Sequence, residues 1–444
     1  MRILDWNSLD EPGRRAALAR PEAGSRDEAT RVAREIIARV RREGDPAVFA
    51  LTARFDGAVP RELKVSAEEF AEGRRTMAPE QIAALERAIA NVQGFHQAQA
   101  PKPLLFETQA GVRCEQIVRP IRSVGLYVPA GTAALPSTVI MLAVPARIAG
   151  VPDCILCTPP RPDGKAHPSI LVAAELCGID TVFKVGGAQA IAAMAYGTER
   201  IPKVHKIFGP GNGWVTAAKQ LVAGDPEGAA CDLPAGPSEV LVVADETARA
   251  SFVAADLLAQ AEHDTLAQGI LVTVSRMLAE EVSAEVHLQR AELKRAAILG
   301  SSLDSCRAIV VPNLDTALAV ANDYAPEHLI LQVREVRQAL AQVANAGSVF
   351  LGSWSPEPIG DYCSGPNHVL PTFGSARVLS GLSVRDFVKI VTVQELSPSG
   401  LRALAPTAIA LARLEGLDAH ANAVQRRITA LDEASTDVAA GVAS

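Results

Sequence analysis

Two adjacent side chains in the 444-residue chain have the types that proton transfer needs: Glu327 and His328, in Asp-Tyr-Ala-Pro-Glu-His-Leu-Ile-Leu, just before an apolar run. A carboxylate beside an imidazole can serve one site, the imidazole taking and returning protons near neutral pH. The alternative on these residues alone is a helix-to-strand loop punctuated by polar groups. A second set carries the donor atoms of a metal site. Gln260 and His263 stand at i and i+3 of an expected helix and share a face there. Asp361 and His368 lie in the Gly/Pro-rich stretch Ile-Gly-Asp-Tyr-Cys-Ser-Gly-Pro-Asn-His, and His420 comes from the C-terminal helical segment. Gln260, His263, Asp361 and His420 would supply two nitrogens and two oxygens, a set that suits zinc. Glu262 and Asp264 also fit a plain exposed helix end, and no H-E-x-x-H spacing is present.

A third set consists of strand ends that meet helix starts through glycine: Gly186-Gly187 and the run Gly209-Pro-Gly-Asn212-Gly213. Each can present backbone N–H groups and a helix N-terminus to a phosphate. Gln189 and Asn212 sit in these turns, and Tyr127 ends the strand before a similar loop. Tight βα turns need glycine with or without a ligand, and the G-x-G-x-x-G dinucleotide fingerprint is absent. Ser238, in Pro-Ala-Gly-Pro-Ser-Glu-Val, lacks the G-x-S-x-G elbow and reads as a ligand hydroxyl, not a nucleophile.

The elements that must position these groups follow a clear rhythm. Residues 1–26 are a polar lead. Residues 27–42 place Ala29, Val32, Ile36, Ile37 and Val40 at helical spacing, stopped at Gly44, and residues 78–99 give a second helix. From about residue 122, short apolar runs ended by Gly or Pro alternate with Ala-rich helical runs, as in βα units. Strands are expected at 123–128, 154–157, 181–185, 204–208, 240–244, 308–311, 329–333 and 349–351. Helices are expected at 190–196, 214–222, 248–262, 406–415 and 419–431. We expect an α/β fold: two Rossmann-like α/β domains, incomplete in lacking G-x-G-x-x-G, with small, mainly helical N- and C-terminal extensions. The boundaries read as an extension at 1–26, a discontinuous α/β domain at 27–126 plus 240–382, a second α/β domain at 127–239, and a helical extension at 383–444.

Composition narrows the function classes. Hydrophobic residues make up 48% and charged residues 21%, as in a soluble globular chain. A net charge of −7 with only 4% aromatic residues argues against a nucleic-acid partner, which needs a basic face or stacking surfaces. The uncharged run 123–146 is long enough to span a bilayer, but Gly125, Pro129, Gly131, Pro136 and Pro145 break it. Met1 opens a stretch without signal-peptide features, so the expected location is cytoplasmic. The seven cysteines (114, 154, 157, 177, 231, 306 and 363) are odd in number and scattered, unlike a disulfide framework. Cys154 and Cys157 form a C-x-x-C, yet on a strand they would face opposite sides as small hydrophobes.

Eight stretches, in order, carry a resemblance. They are VGLYVPAGTAALPSTVIM (124–141), KVGGAQAIAAMAYGT (184–198), KIFGPGNGWVTAAK (206–219), PAGPSEVLVVAD (234–245), DLLAQAEHD (256–264), DYAPEHL (323–329), GDYCSGPNHVLPTFGSAR (360–377) and EGLDAHANAV (415–424). Over nearly its whole length the chain resembles the histidinol dehydrogenases. The resemblance implies oxidation of L-histidinol through L-histidinaldehyde to L-histidine, the last step of histidine biosynthesis, with two NAD⁺ reduced. It implies one zinc ion per subunit at Gln260, His263, Asp361 and His420, acting as a template for substrate, with His328 and Glu327 as the acid–base pair. Ser238, Gln260, His263, His328, Asp361, His368, Glu415 and His420 would contact substrate, and Tyr127, Gln189 and Asn212 would contact NAD. It also implies a homodimer in which Glu415 and His420 reach the partner's site. Phe373, where a second glycine before Gly374 is expected, and Cys231 depart from the family pattern. Cys231 or Cys114 would allow a thiohemiacetal route, a disfavoured alternative. A relative acting on another small alcohol, such as a sulfonated diol, is the nearest rival; Glu415 with His368 argues against it, because a sulfonate favours added cations. A metal or NAD sensor without turnover would not need the Glu327–His328 pair.

Overall fold

The computed structural model describes residues 1–21, 26–130, 133–233 and 236–441. Gly131, Thr132, Pro234 and Ala235, which belong to two of the motif loops, lie outside the described residues, as do residues 22–25 of the N-terminal lead. Among the described residues fourteen strands occur. In the first third they are β1 (Arg2–Asp5), β2 (Leu104–Gln109), β3 (Val112–Pro120) and β4 (Ser123–Tyr127). There follow β5 (Asp153–Thr158), β6 (Val182–Lys184), β7 (Lys206–Phe208), β8 (Ala230–Cys231) and β9 (Glu239–Ala244). The last are β10 (Gln268–Thr273), β11 (Arg307–Val310), β12 (His328–Gln332), β13 (Ser348–Leu351) and β14 (Val388–Leu396).

A five-stranded parallel sheet has the order β6-β5-β4-β7-β8, and a six-stranded parallel sheet has β1-β11-β10-β9-β12-β13. Both are doubly wound: the chain builds outward one way from β4 and β9, then returns to their other side with β7 and β12. The central strands are buried at every residue, because helices cover both faces of a parallel sheet. Alternate residues of the five-stranded sheet feed two cores. Tyr127, Cys157 and Phe183 pack with helices Arg26–Glu43, Gly187–Tyr196 and Gly213–Ala223, while Val124, Leu126 and Leu156 pack with Pro79–Ala98, Pro136–Ile148 and Pro168–Leu176. Cys154 and Cys157 therefore fall into opposite cores, and burial pushes the Cys154 thiol up to about 12. The six-stranded sheet repeats the scheme, with Leu241, Val243 and Leu329 on one face and Val240, Val242 and Ile330 on the other.

Sheet membership differs from the expected division. Strand β4 and the helices of residues 26–98 join the five-stranded sheet, so most of 27–126 belongs with 127–239 and not with 240–382. The cause is the apolar stripe Ala33, Ile36, Ile37 and Val40, which buries against the helices that follow β6 and β7. The lead is not a separate extension either: β1 pairs with β11, and Trp6 and Ala17 enter the core of the six-stranded sheet.

By contacts the chain divides into two compact units, Met1–Ala100 with Ile121–Phe387, and Pro101–Pro120 with Val388–Ser444. The second holds an antiparallel sheet of order β14-β3-β2 and the helices Pro398–Leu414 and Asp418–Gly441. The end of the chain is therefore not helical alone. Val-Lys-Ile-Val-Thr-Val-Gln-Glu-Leu is rich in β-branched residues and pairs along its whole length with β3. No helix among the described residues is long and apolar enough to cross a membrane.

Candidate active site

Glu327 and His328 lie with Gln260, His263 and Asp361 at the amino edge of the six-stranded sheet. Glu239 opens β9 and His328 opens β12, neighbouring strands in which His328 pairs with Val240. After β9 the helix Ala250–Ala261 runs back along the sheet, so its end returns to that edge and delivers Gln260. His263 is not on the helix, as its spacing suggested. Glu262 caps the helix, and the His263 N–H donates to the Gln260 carbonyl at 3.2 Å in the turn beyond. Asp361, expected in a loop, lies in the short helix Glu357–Tyr362.

Glu327 and His328 are both buried and share one anchor, the backbone of Glu239. The Glu239 N–H donates to Glu327 Oε2 at 2.9 Å, and His328 Nδ1 lies 3.1 Å from the Glu239 carbonyl oxygen. A carbonyl only accepts, so the proton sits on Nδ1 and the lone pair of neutral His328 is on Nε2. Nε2 has no hydrogen-bond partner; Asp361 Oδ1 stands 3.4 Å from it and Glu357 Oε1 3.8 Å. Burial pushes Glu327 up to about 8. For His328 burial works downward, but Glu327, Asp361 and Glu357 outweigh it and lift the imidazole to about 10. Asp361 goes the other way: burial opposes its charge, yet His328 holds it well below the usual carboxylate range.

Beside this pair lies a cluster fit for a cation. His263, Glu357 and Asp361 each offer one ligand atom, all within 4.8 Å of one another. Gln260 is fully buried with neither amide atom hydrogen-bonded, and Glu357 Oε1 is likewise buried without a partner. Buried unpaired polar atoms are costly unless something absent from the protein satisfies them. Burial also lowers the pKa of His263, favouring the neutral form that binds metal. Glu357 escaped the sequence reading. Its signal was the i,i+4 spacing to Asp361, which puts both carboxylates on one face of a single turn.

His368 and Ser238 belong to the same edge. His368 Nδ1 lies 2.7 Å from the Asp361 carbonyl. The neighbouring Asn367 donates to the Met141 carbonyl at 2.7 Å and approaches His96 Nε2 at 3.2 Å, tying this loop to helices of the five-stranded sheet. Ser238 is half-buried and accepts through its carbonyl from the Gln268 N–H at 3.1 Å. Glu415 and His420 belong to the second unit, where both are exposed: Glu415 caps the helix Pro398–Leu414 and His420 is in the first turn of Asp418–Gly441.

The three residues expected to contact a dinucleotide lie at the carboxyl edge of the five-stranded sheet. Tyr127 ends β4, and its hydroxyl accepts from the Gly187 N–H at 3.0 Å. Gln189, buried in the first turn of the next helix, reaches Asp56 Oδ2 at 3.5 Å; burial pushes Asp56 up to about 6. Asn212 caps the helix Gly213–Ala223 by accepting from the Val215 N–H at 3.2 Å. Gly209 has φ +127°, and a Cβ there would lie 2.0 Å from the Tyr127 carbonyl oxygen, so the close approach of β4 and β7 alone requires glycine. Cys231 ends β8 of this sheet, its thiol pushed up to about 12 by burial, and Cys114 lies on β3 in the second unit. Neither is placed as an activated nucleophile.

Two doubly wound parallel sheets, glycine turns at the carboxyl edge of one and a buried proton-transfer pair beside a cation-competent cluster on the other define an α/β enzyme of the dehydrogenase class. The family model described as histidinol dehydrogenase matches residues 19–428. The chain belongs to the histidinol dehydrogenase family, whose members are NAD-dependent oxidoreductases. It is 51% identical over 432 residues to the histidinol dehydrogenase of Vibrio vulnificus (strain CMCP6), covering 97% of this chain and 99% of that one. To the histidinol dehydrogenase of Xanthomonas oryzae pv. oryzae (strain KACC10331 / KXO85) it is 53% identical over 428 residues, with 96% and 99% covered. The crystal structure of histidinol dehydrogenase from Elizabethkingia anophelis matches with a TM-score of 0.92 at 40% identity, covering 97% of this chain and 99% of that one.

Proposed function

We propose that the amino edge of the six-stranded sheet is where this chain oxidises L-histidinol through L-histidinaldehyde to L-histidine. The observation that carries the reading is the free Nε2 of buried His328 facing a cluster whose Gln260 amide has no partner in the protein. NAD⁺, when bound, would supply the hydride acceptor, used twice in succession, and a zinc ion would supply a fixed positive charge for the donor atoms of the substrate. Gln260, His263 and Asp361 would hold the ion, with His420 as the fourth ligand. Tyr127, Gln189 and Asn212 would contact the dinucleotide.

In the first oxidation His328 Nε2 takes the hydroxyl proton as the carbon loses hydride to NAD⁺; a cation held by Asp361 would take up the negative charge that otherwise raises the imidazole, leaving Nε2 able to accept. In the second, Glu327 takes a proton from the water that adds to the aldehyde, and the hydrated carbon loses the second hydride to leave the acid. Glu327 is positioned for this by the Glu239 N–H, and its burial favours proton uptake near neutral pH. Ser238 and His368 would line the substrate pocket with Glu415. Because a reactive aldehyde must stay bound while the cofactor is exchanged, a ligand set that grips two ends of the substrate suits the task.

The working form would be a cytoplasmic homodimer, with Glu415 and His420 completing the partner's site. The second unit exposes Leu104, Leu105, Phe106, Leu411 and Leu414, apolar surface that a second copy would cover. The test is NADH formed per L-histidinol consumed by the protein as isolated, after chelation and after zinc is returned. Two NADH per substrate, lost with the metal and restored by zinc, is expected. Untouched histidinol with zinc bound would overturn the reading.

A further inference from the structure

The polar lead before Pro21 ends in Arg20, whose guanidinium reaches the floor of the site. Arg20 Nε donates to Glu239 Oε1 at 2.8 Å and Nη2 to Glu239 Oε2 at 2.7 Å, a bidentate pair whose side chains are 17% and 3% exposed. The guanidinium also lies 4.0 Å over the Tyr324 ring and donates from Nη2 to the Tyr324 carbonyl at 2.8 Å. Tyr324 donates through its hydroxyl to Gln268 Oε1 at 2.7 Å, and Gln268 Nε2 donates to the Ala19 carbonyl at 3.1 Å, so the network closes on the segment that carries Arg20.

Glu239 is the residue whose backbone holds both members of the acid–base pair, through its N–H to Glu327 and its carbonyl to His328. Its side chain additionally accepts from the Phe373 N–H at 2.5 Å. Among the described residues Ala325 and Phe373 are the non-glycine residues with positive φ, at 52° and 53°. Left-handed backbone at such residues persists only where surrounding contacts enforce it. Both are enforced here from one place: Phe373 by the Glu239 carboxylate, and Ala325 by the Arg20 bond to the carbonyl of the preceding Tyr324. Ala325 is followed directly by Pro326 and the pair itself.

We propose that the Arg20–Glu239 ion pair is a positioning device for Glu327 and His328, fixing the Glu239 backbone and the left-handed turn before Pro326 so that the carboxylate and imidazole meet the reacting carbon. It acts through the Glu239 backbone, and it rests on the roles given above to Glu327 and His328. Removing one partner of a buried pair leaves the other charge uncompensated, so neutral and charge-conserving variants are needed beside the truncation.

The experiment compares Arg20→Lys, Glu239→Gln and Arg20→Ala with the unmodified enzyme, reading kcat, KM for L-histidinol, zinc content and melting temperature. Arg20→Ala is also assayed with added guanidinium at concentrations that leave the unmodified enzyme unaffected. We expect kcat to fall by about 10- to 100-fold, KM to change by less than about threefold, since uniform binding is untouched, and zinc content to stay constant. Guanidinium should restore much of the activity of Arg20→Ala. Unchanged kcat in folded Arg20→Lys and Glu239→Gln overturns the proposal. So does loss of activity only in proportion to loss of folded protein across all three variants, which marks the pair as structural. Glu327→Gln and His328→Asn serve as controls. If these retain full turnover, the assignment of the acid–base pair has failed; if they are inactive while the Arg20 and Glu239 variants are normal, only the positioning role has.

Discussion

Replacing Gln260 with leucine separates two effects that a metal ligand inside a core always combines. The Gln260 side chain is fully buried, and the protein offers neither amide atom a partner. An amide in that state costs about 1–3 kcal/mol relative to a paired one. Leucine is close to glutamine in volume, so the exchange adds little cavity or strain. Gln260→Leu should therefore make the chelated protein more stable by about 1–3 kcal/mol, the opposite sign to most core substitutions. With zinc present the order reverses. Losing one ligand should weaken zinc binding by at least about tenfold, and each factor of ten removes about 1.4 kcal/mol of ligand-linked stability once zinc exceeds the dissociation constant. The assay is equilibrium unfolding in denaturant, with chelator and with a fixed free zinc concentration, together with zinc affinity by competition against a chromophoric chelator. A chelated variant less stable than the chelated parent, with zinc affinity unchanged, would refute the reasoning, because Gln260 would then be an ordinary core residue.

The other predictions test different parts of the frame. Glu357→Gln keeps the shape of a side chain whose carboxylate lies in the cation cluster, and should weaken zinc binding by about tenfold; unchanged affinity in the same competition assay would put Glu357 outside the ion's reach. Asp256 is buried with Gln332 Nε2 at 3.0 Å, and burial pushes it up to about 7. A raised folded pKa means stability is greatest below the unfolded value of about 3.9 and is lost as pH rises toward 7. Asp256→Asn should thus stabilise the protein by a few kcal/mol at pH 8 and much less at pH 4, which denaturant titrations at the two values will read; an equal effect at both would remove the ionisation argument. Gly209→Ala should cost about 2–4 kcal/mol of stability, since its Cβ would lie 2.0 Å from the Tyr127 carbonyl oxygen at φ +127°; a neutral result in urea unfolding would show that β4 and β7 can separate. Mixed dimers of inactive Glu327→Gln and inactive His420→Asn chains should regain activity if sites are shared and stay inactive if each chain is self-contained.

Much of the frame was legible because burial writes itself into sequence. The runs that became β4, β5 and β9 are apolar without interruption because parallel strands are covered on both faces, and the 27–42 stripe has the helical period of one buried face. What a stripe buries against is not written there. Periodicity shows that residues 27–42 have an inner face but not which sheet receives it; the contacts to the helices after β6 and β7 supply that. Strand β1 is four residues long at a sheet edge, too short for a pattern, and β2 is exposed along its whole length, so it lacks the apolar alternation that marks a half-buried strand. The acid–base pair was visible because its members are adjacent. Arg20 was not, because it acquires its role only through a contact across 219 positions to Glu239.

The two sheets wind the same way, yet the proposed reading sets their sites at opposite edges, and the side chains supply the reason. In an open parallel sheet the crevice outside the carboxyl ends of the strands, at the point where the winding reverses, receives the ligand. Tyr127, Gly187 and Asn212 occupy that place in the five-stranded sheet, where two helices begin and their N-terminal partial positive charge suits an anionic cofactor. The six-stranded sheet uses its amino edge. There the nearby helix contributes its C-terminal end, a region of carbonyl oxygens and partial negative charge, and Gln260, His263, Glu357 and Asp361 add neutral and anionic donors. Such an edge repels phosphate and attracts a cation. Under the proposed function, one winding pattern would serve twice, with the first sheet opened at the end that favours anions and the second at the end that favours cations. The Asn367–His368 loop, bonded to the Met141 carbonyl on one side and to the Asp361 carbonyl on the other, ties the amino edge of the six-stranded sheet to a helix that packs on the five-stranded one.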